Sequence, residues 1–214
     1  MSNQAASQWS AKFPWVKAAP PSAGRMEPRI LGLECGWIWM TWAVLEGKKV
    51  LGGGVVLNED TLEPAGTAEM PFVELVTRRM YGLHLAIKDL LDEWSPDWVA
   101  DWSPNQSWHG KGELESHLDF VYRHGQSQGV VKNLCFQRGV PDFGVRSAES
   151  TRVVTANPES TRQEVERVLM EKLSVEGFNP REWTHEDGRV GRDNFAGALA
   201  IAYAAQKRIR SYQR

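Results

Sequence analysis

The chain has 214 residues, a formal net charge of −2, 42% hydrophobic and 24% charged residues, which suit one globular domain with a core of its own. Its two cysteines, Cys35 and Cys135, stand far apart in apolar contexts, outside any CxxC pair or His/Cys cluster, so neither a disulfide scaffold nor a structural zinc site is expected and a reducing cytoplasm is the simplest compartment. No apolar run reaches the length of a membrane span and no secretory leader is read, so a soluble protein is expected.

Residues 1–28 are rich in Ser, Ala, Gln and Pro and follow neither structural period, so they read as a flexible extension outside a domain spanning 29–210. Trp9, Phe13 and Trp15 interrupt this extension at a spacing suited to an aromatic anchor. Residues 29–34, 38–45 and 49–57 are then expected as three consecutive strands joined by tight turns, forming an antiparallel meander. In 71–94, Leu75, Met80, Leu83, Ile87, Leu90 and Leu91 fall near helical spacing, and Pro96 follows as a stop. The segment PDWVADW gives a short strand finishing at Asp101, and a loop with Gly110 and Gly112 leads to a helix from about 113 toward 135. A strand at 143–147 and helices at 159–173 and 193–209 complete the order βββαβαβαα.

Two acids stand out in this order. The first strand, RILGLECGW, ends on Glu34 before a glycine, and the fourth ends on Asp101. An acid closing an apolar strand before a glycine turn is common in α/β proteins, and it is also how a metal-dependent nuclease presents a ligand. Charge is distributed unevenly around them. From residue 121 onward there are 15 Lys/Arg against 11 Asp/Glu, a net +4, which leaves −6 for the earlier part. The basic half ends in Lys207, Arg208, Arg210 and Arg214, a surface able to meet a polyanion or simply a solvated one. The overall pI near 6.2 gives no support to nonspecific coating of nucleic acid.

The element order with acids at the ends of strands one and four resembles the RNase H-like superfamily, and within it the RuvC family of Holliday junction resolvases over roughly residues 29–205. ILGLECGW followed by TWAVLEG resembles the family's opening strand, glycine turn and second strand, and LLDEWSPDWVADW the helix end and strand that carry its second acid. HGQSQGVVKNLCFQRGVPDFGVRS, VVTANPESTRQEVERVL and DNFAGALAIAYA resemble its later helix and strand, its basic loop with the following helix, and its final helix. The resemblance implies a mixed five-stranded α/β sheet flanked by helices, and two-metal phosphodiester hydrolysis with Mg²⁺ or Mn²⁺ held by closely set carboxylates.

On that reading Glu34 is the first metal ligand and Asp101 the second, with Asp193 as candidate third. The pattern departs from the family, which usually has Asp at the first position and Glu at the second. On its last helix the family also places Asp or His, then Asp three residues later, where this chain has Asn194 and Gly197. Asp193 lies one residue early and suits a helix N-cap as well as a ligand; His185, Glu186 and Asp187 are alternative substitutes from the preceding loop.

The resemblance further implies phosphate contacts from Arg152 and Arg162, with Lys111 and His109 in the loop beyond Asp101. Trp108 and Trp102 are candidates for an aromatic wedge at the branch point, with Trp108, flanked by Ser, His and Gly, the better placed and Trp102 better suited to packing. A homodimer on branched DNA is implied, in replication, recombination or repair and in keeping with a bacteriophage source. The stretch from Leu114 through Leu118 to Val121 would suit a dimer helix or core packing. Two readings stand side by side: a structure-selective endonuclease acting on four-way junctions, and a nuclease-dead relative that binds junctions or serves as a structural subunit. A sugar-kinase-like ATPase, also built on this superfamily fold, is disfavoured because further phosphate-binding glycine motifs are not evident.

Overall fold

The structure, a computed structural model, describes residues 27–36, 39–57, 72–103, 114–173 and 192–212. The expectations for the extension and for the loop beyond the fourth strand therefore fall outside the described residues. Within them, β1 (Arg29–Cys35), β2 (Trp39–Glu46) and β3 (Lys49–Leu57) form the expected antiparallel meander. Helix α1 (Phe72–Trp94) leads to β4 (Trp98–Trp102), which joins β1 in parallel, and α2 (Leu114–Arg138) leads to β5 (Asp142–Val145), parallel to β4. The mixed sheet has the order β3-β2-β1-β4-β5. Three helices follow: α3 (Ser147–Thr155), α4 (Arg162–Lys172) and α5 (Arg192–Tyr212).

Each face of the sheet is covered by helices, so the strand side chains divide between two cores. Leu31, Leu33 and Cys35 of β1 and Val99 of β4 pack against α1 and α2 through Leu83, Ile87, Val131 and Leu134. Ile30 of β1 and Ala100 of β4 face α3, α4 and α5 through Val154, Leu169 and Ile201. Burying each large aliphatic side chain contributes about 1.5–3 kcal/mol, so the period-two alternation of β1 is strongly enforced. Helix α5 presses closest, with Ala198, Ala200, Ala202, Ala204 and Ala205 all buried. A Cβ on Gly32 of β1 would overlap the Ala198 carbonyl oxygen and come within 2.9 Å of the Ala202 backbone nitrogen, so this approach requires glycine. Buried Gln206 fastens the same helix to the β2–β3 turn by donating to the Gly47 carbonyl at 2.7 Å.

The order is βββαβαβααα, one helix more than the sequence reading gave. The strand expected at 143–147 stops at Val145, and Ser147 opens α3 instead. Thr151, Val153, Val154 and Thr155 weigh against a helix by propensity. Burial of Val154 and Ser150 against α5 outweighs that preference. Ala156, at φ 66°, ends α3, and the helix expected from 159 begins at Arg162, where the Thr161 hydroxyl accepts from the Glu164 backbone N–H at 3.2 Å. Among the described residues no helix is long and apolar enough to cross a membrane.

Candidate functional site

Glu34 sits one residue from the end of β1, directly across the ladder from Thr41 and on the α5 face of the sheet. It is 8% exposed. The Glu34 carboxylate lies against Gly197 of α5: a Cβ at position 197 would overlap Oε2 and stand 3.0 Å from Cδ. The longer acid thus fills the space that a side chain on α5 would need. Its Oε1 accepts from the guanidinium of Arg162 at 3.5 Å, while Oε2 has no hydrogen-bond partner among the described residues. Burial raises the Glu34 pKa, opposed by the Arg162 charge and by the Thr41 hydroxyl.

Asp101 points the other way. In the parallel pairing of β1 with β4 its partner is Leu33, and its β5 partner is Gly144. Directly paired residues share a face, so Asp101 lies on the α2 face with Leu33, while Glu34 faces α5. Asp101 is 1% exposed and neither carboxyl oxygen has a hydrogen bond of good geometry among the described residues. Burial pushes its pKa up to about 6, with Lys132 pulling it down and Asp142 adding to the rise. Lys132 donates to Asp142 at 2.9 Å, and Gln128 donates to the Trp102 carbonyl at the same distance. The expectation that Glu34 and Asp101 converge on one pair of metals is therefore corrected: the alternation of the strand separates them by the thickness of the sheet.

The β4 residue that shares the Glu34 face is Trp102, one position beyond Asp101. It packs against the α5-side core, and its indole N–H donates to the Ser147 hydroxyl at 2.6 Å. Trp102, Glu34, Arg162 and Gly197 line one pocket together. Glu34, Trp102 and Arg162 also line a wider cleft of about 320 Å³ with Trp39, Phe120 and His124. His124 stands edge-on to Trp102 at 4.4 Å between ring centroids and Phe120 at 5.9 Å, while the His124 ring donates to the Cys35 carbonyl. Burial lowers the His124 pKa, which favours the neutral ring.

A divalent-metal pair needs several convergent oxygen ligands. Around Glu34 the neighbouring positions hold an indole, a glycine and a guanidinium, and among the described residues no group of three His, Cys, Asp or Glu is arranged to hold a metal ion. These residues do not fit the two-metal centre that the resemblance implies. Asp193 lies in the first turn of α5, with its side chain outside the description, and Trp108, His109, Lys111, His185, Glu186 and Asp187 lie outside the described residues. Arg162 opens α4 beside Glu34, and Arg152 is exposed on α3. Sequence reasoning missed Trp39, Phe120 and His124 as site residues, because a strand and a distant helix bring them together without a local motif.

Comparison with known proteins points in one direction. No family model matches the chain. It is 26% identical over 144 residues to a crossover junction endodeoxyribonuclease RuvC from Thermomicrobium roseum, covering 66% of this chain and 76% of that protein. The solved structure of Thermus thermophilus RuvC superposes with a TM-score of 0.58 at 21% identity, over 86% of this chain and 96% of the other. The same enzyme in complex with a Holliday junction substrate gives 0.61 at 20% identity, over 86% and 97%. The yeast mitochondrial Holliday junction resolvase Ydc2 gives 0.57 at 15% identity, over 90% and 83%. The fold is RNase H-like. It is the fold of the RuvC-type resolvases on which the chain superposes.

Proposed function

We propose that this chain recognises branched DNA as a RuvC-type protein without cleaving it through a two-metal centre. The observation that carries the reading is the state of Glu34: its carboxylate fills the space of an α5 side chain and pairs with Arg162, while Asp101 faces the opposite layer. A cation already at this carboxylate opposes the entry of metal ions, and Trp102 and Gly197 offer them no further oxygen ligand. Retention of the fold over nearly the whole length of a RuvC solved with a Holliday junction supports the binding half of the proposal.

Arg152 and Arg162, with Trp108 and Lys111 from the sequence after Asp101, are the proposed DNA contacts, the arginines to phosphate and Trp108 to an unpaired base. A homodimer would match the two equivalent strands of a four-way junction; exposed Phe136 and Tyr122 on α2 support such an interface. The test incubates the protein with labelled four-way junction, fork and linear duplex in Mg²⁺ or Mn²⁺, alongside Glu34→Gln and Asp101→Asn, and scores binding and cleavage separately. Junction binding in preference to duplex, with no cleavage by any form, is the expected result. Cleavage abolished by either substitution would overturn the non-cleaving half, and equal affinity for all three DNAs the recognition half.

A further inference from the structure

The rings of the cleft beside Glu34 have no part in the phosphate contacts proposed above, yet several elements combine to build it. Trp39 reaches it from β2, Trp102 from β4 and Phe120 and His124 from α2, so four rings from three elements converge on about 320 Å³. Gly36 lets Trp39 fold back over the end of β1: its N–H donates to the Trp39 carbonyl at 2.8 Å, and a Cβ there would stand 2.9 Å from that oxygen. The indole of Trp102 is fixed by its bond to Ser147 and by edge-on contacts to His124 and Phe120. At one wall lies the Glu34 carboxylate, and at the rim the guanidinium of Arg162, whose side chain is 57% exposed.

Preformed clefts of a few hundred Å³ lined by rings, with a small number of polar groups, suit a planar organic ligand. Rings stack on a nucleobase, a carboxylate oxygen accepts from an exocyclic amine, and an arginine at the rim meets the flanking phosphate. We infer that the cleft formed by Trp39, Trp102, Phe120, His124 and Glu34 captures one unpaired nucleobase extruded at a DNA branch point, so that the place of the metal centre has become a base-reading pocket. This rests on the branched-DNA reading above and deepens it, because it names what at the branch is read. Bases at a branch are already partly unstacked, so the cost of extrusion is lowest there.

The test measures affinity for a four-way junction carrying normal nucleotides at the crossover and for the same junction with abasic nucleotides there. Variants Phe120→Ala, which trims a partly exposed ring, and Trp39→Ala are compared with the parent, each checked for a parental melting transition. The parent is expected to bind the abasic junction about tenfold or more weakly, the scale of one stacked base, and both variants to lose that discrimination while still binding the junction. A 2-aminopurine at the crossover is expected to be quenched on binding by the parent and not by the variants. Junction binding with equal affinity for abasic and normal DNA would overturn the base pocket while leaving branched-DNA recognition standing. Competition by free deoxynucleoside monophosphates more strongly than by an extruded base would overturn it in favour of a nucleotide-binding site. Loss of all junction preference in the parent would remove both.

Discussion

Gly197 and Glu34 share one volume. A methyl group at 197 would have to displace a buried carboxylate that already lacks a partner for one oxygen. Alanine is normally the better helix residue, by up to about 1 kcal/mol. Here Gly197→Ala is expected to destabilise by about 1–3 kcal/mol through overpacking. In a Glu34→Asp background, where the acid is shorter, most of that cost should vanish. Denaturant unfolding of the four proteins in the cycle measures the coupling, and a stabilising Gly197→Ala in the parent would show that the two do not compete. Asp101 gives a second expectation at this scale. Its pKa is raised from 3.8 to about 6, so the folded state holds a proton that the unfolded chain has released between those values. The group costs nothing below 3.8 and its full penalty is felt above 6, about 3 kcal/mol. Asp101→Asn should therefore raise the melting temperature relative to the parent at pH 7.5, with the advantage fading toward pH 4.

At the scale of elements, the close approach of α5 to β1 organises the molecule. Gly32→Ala should cost about 3 kcal/mol, near the upper end for overpacking, because its new methyl meets backbone rather than a flexible side chain. The same substitution at Gly129 of α2, where a Cβ would meet nothing within 4 Å, should be neutral or stabilising by up to about 1 kcal/mol. Thermal unfolding of both variants separates the prediction from a general intolerance of glycine replacement. Thr161→Ala removes the hydroxyl that caps α4 and should lower stability by about 1 kcal/mol. Since Arg162 follows that cap and reaches Glu34, the loss should also loosen the ion pair at the site.

For the molecule as a whole, the sheet under the proposed function is the frame of a metal nuclease without its ligands. Glu34→Asp, Trp102→Glu and Gly197→Asp together place three carboxyl groups on the α5 face at the site where the described residues have one. That triple variant is expected to show a rise in melting temperature with added Mn²⁺, by the linkage of binding to folding, and the parent none. A parent that responds to Mn²⁺ as strongly as the variant would mean that ligands outside the described residues complete a centre of its own.

Most of the architecture was legible in the order of the residues. The three-strand meander, the helix before Pro96, the short fourth strand and the final alanine-rich helix each rest on a local signal of periodicity or turn chemistry, and each lies within a few residues of its expected place. The same order also singled out Glu34 and Arg162, which the fold brings together across 128 positions. The helix Ser147–Thr155 escaped because its β-branched residues disfavour what packing imposes. Which acids share a site became visible in the assembled sheet alone. Strand side chains alternate with period two, so a one-residue difference in β4 exchanges one face for the other. That parity depends on hydrogen-bonded register with β1, which no local pattern in WVADW records.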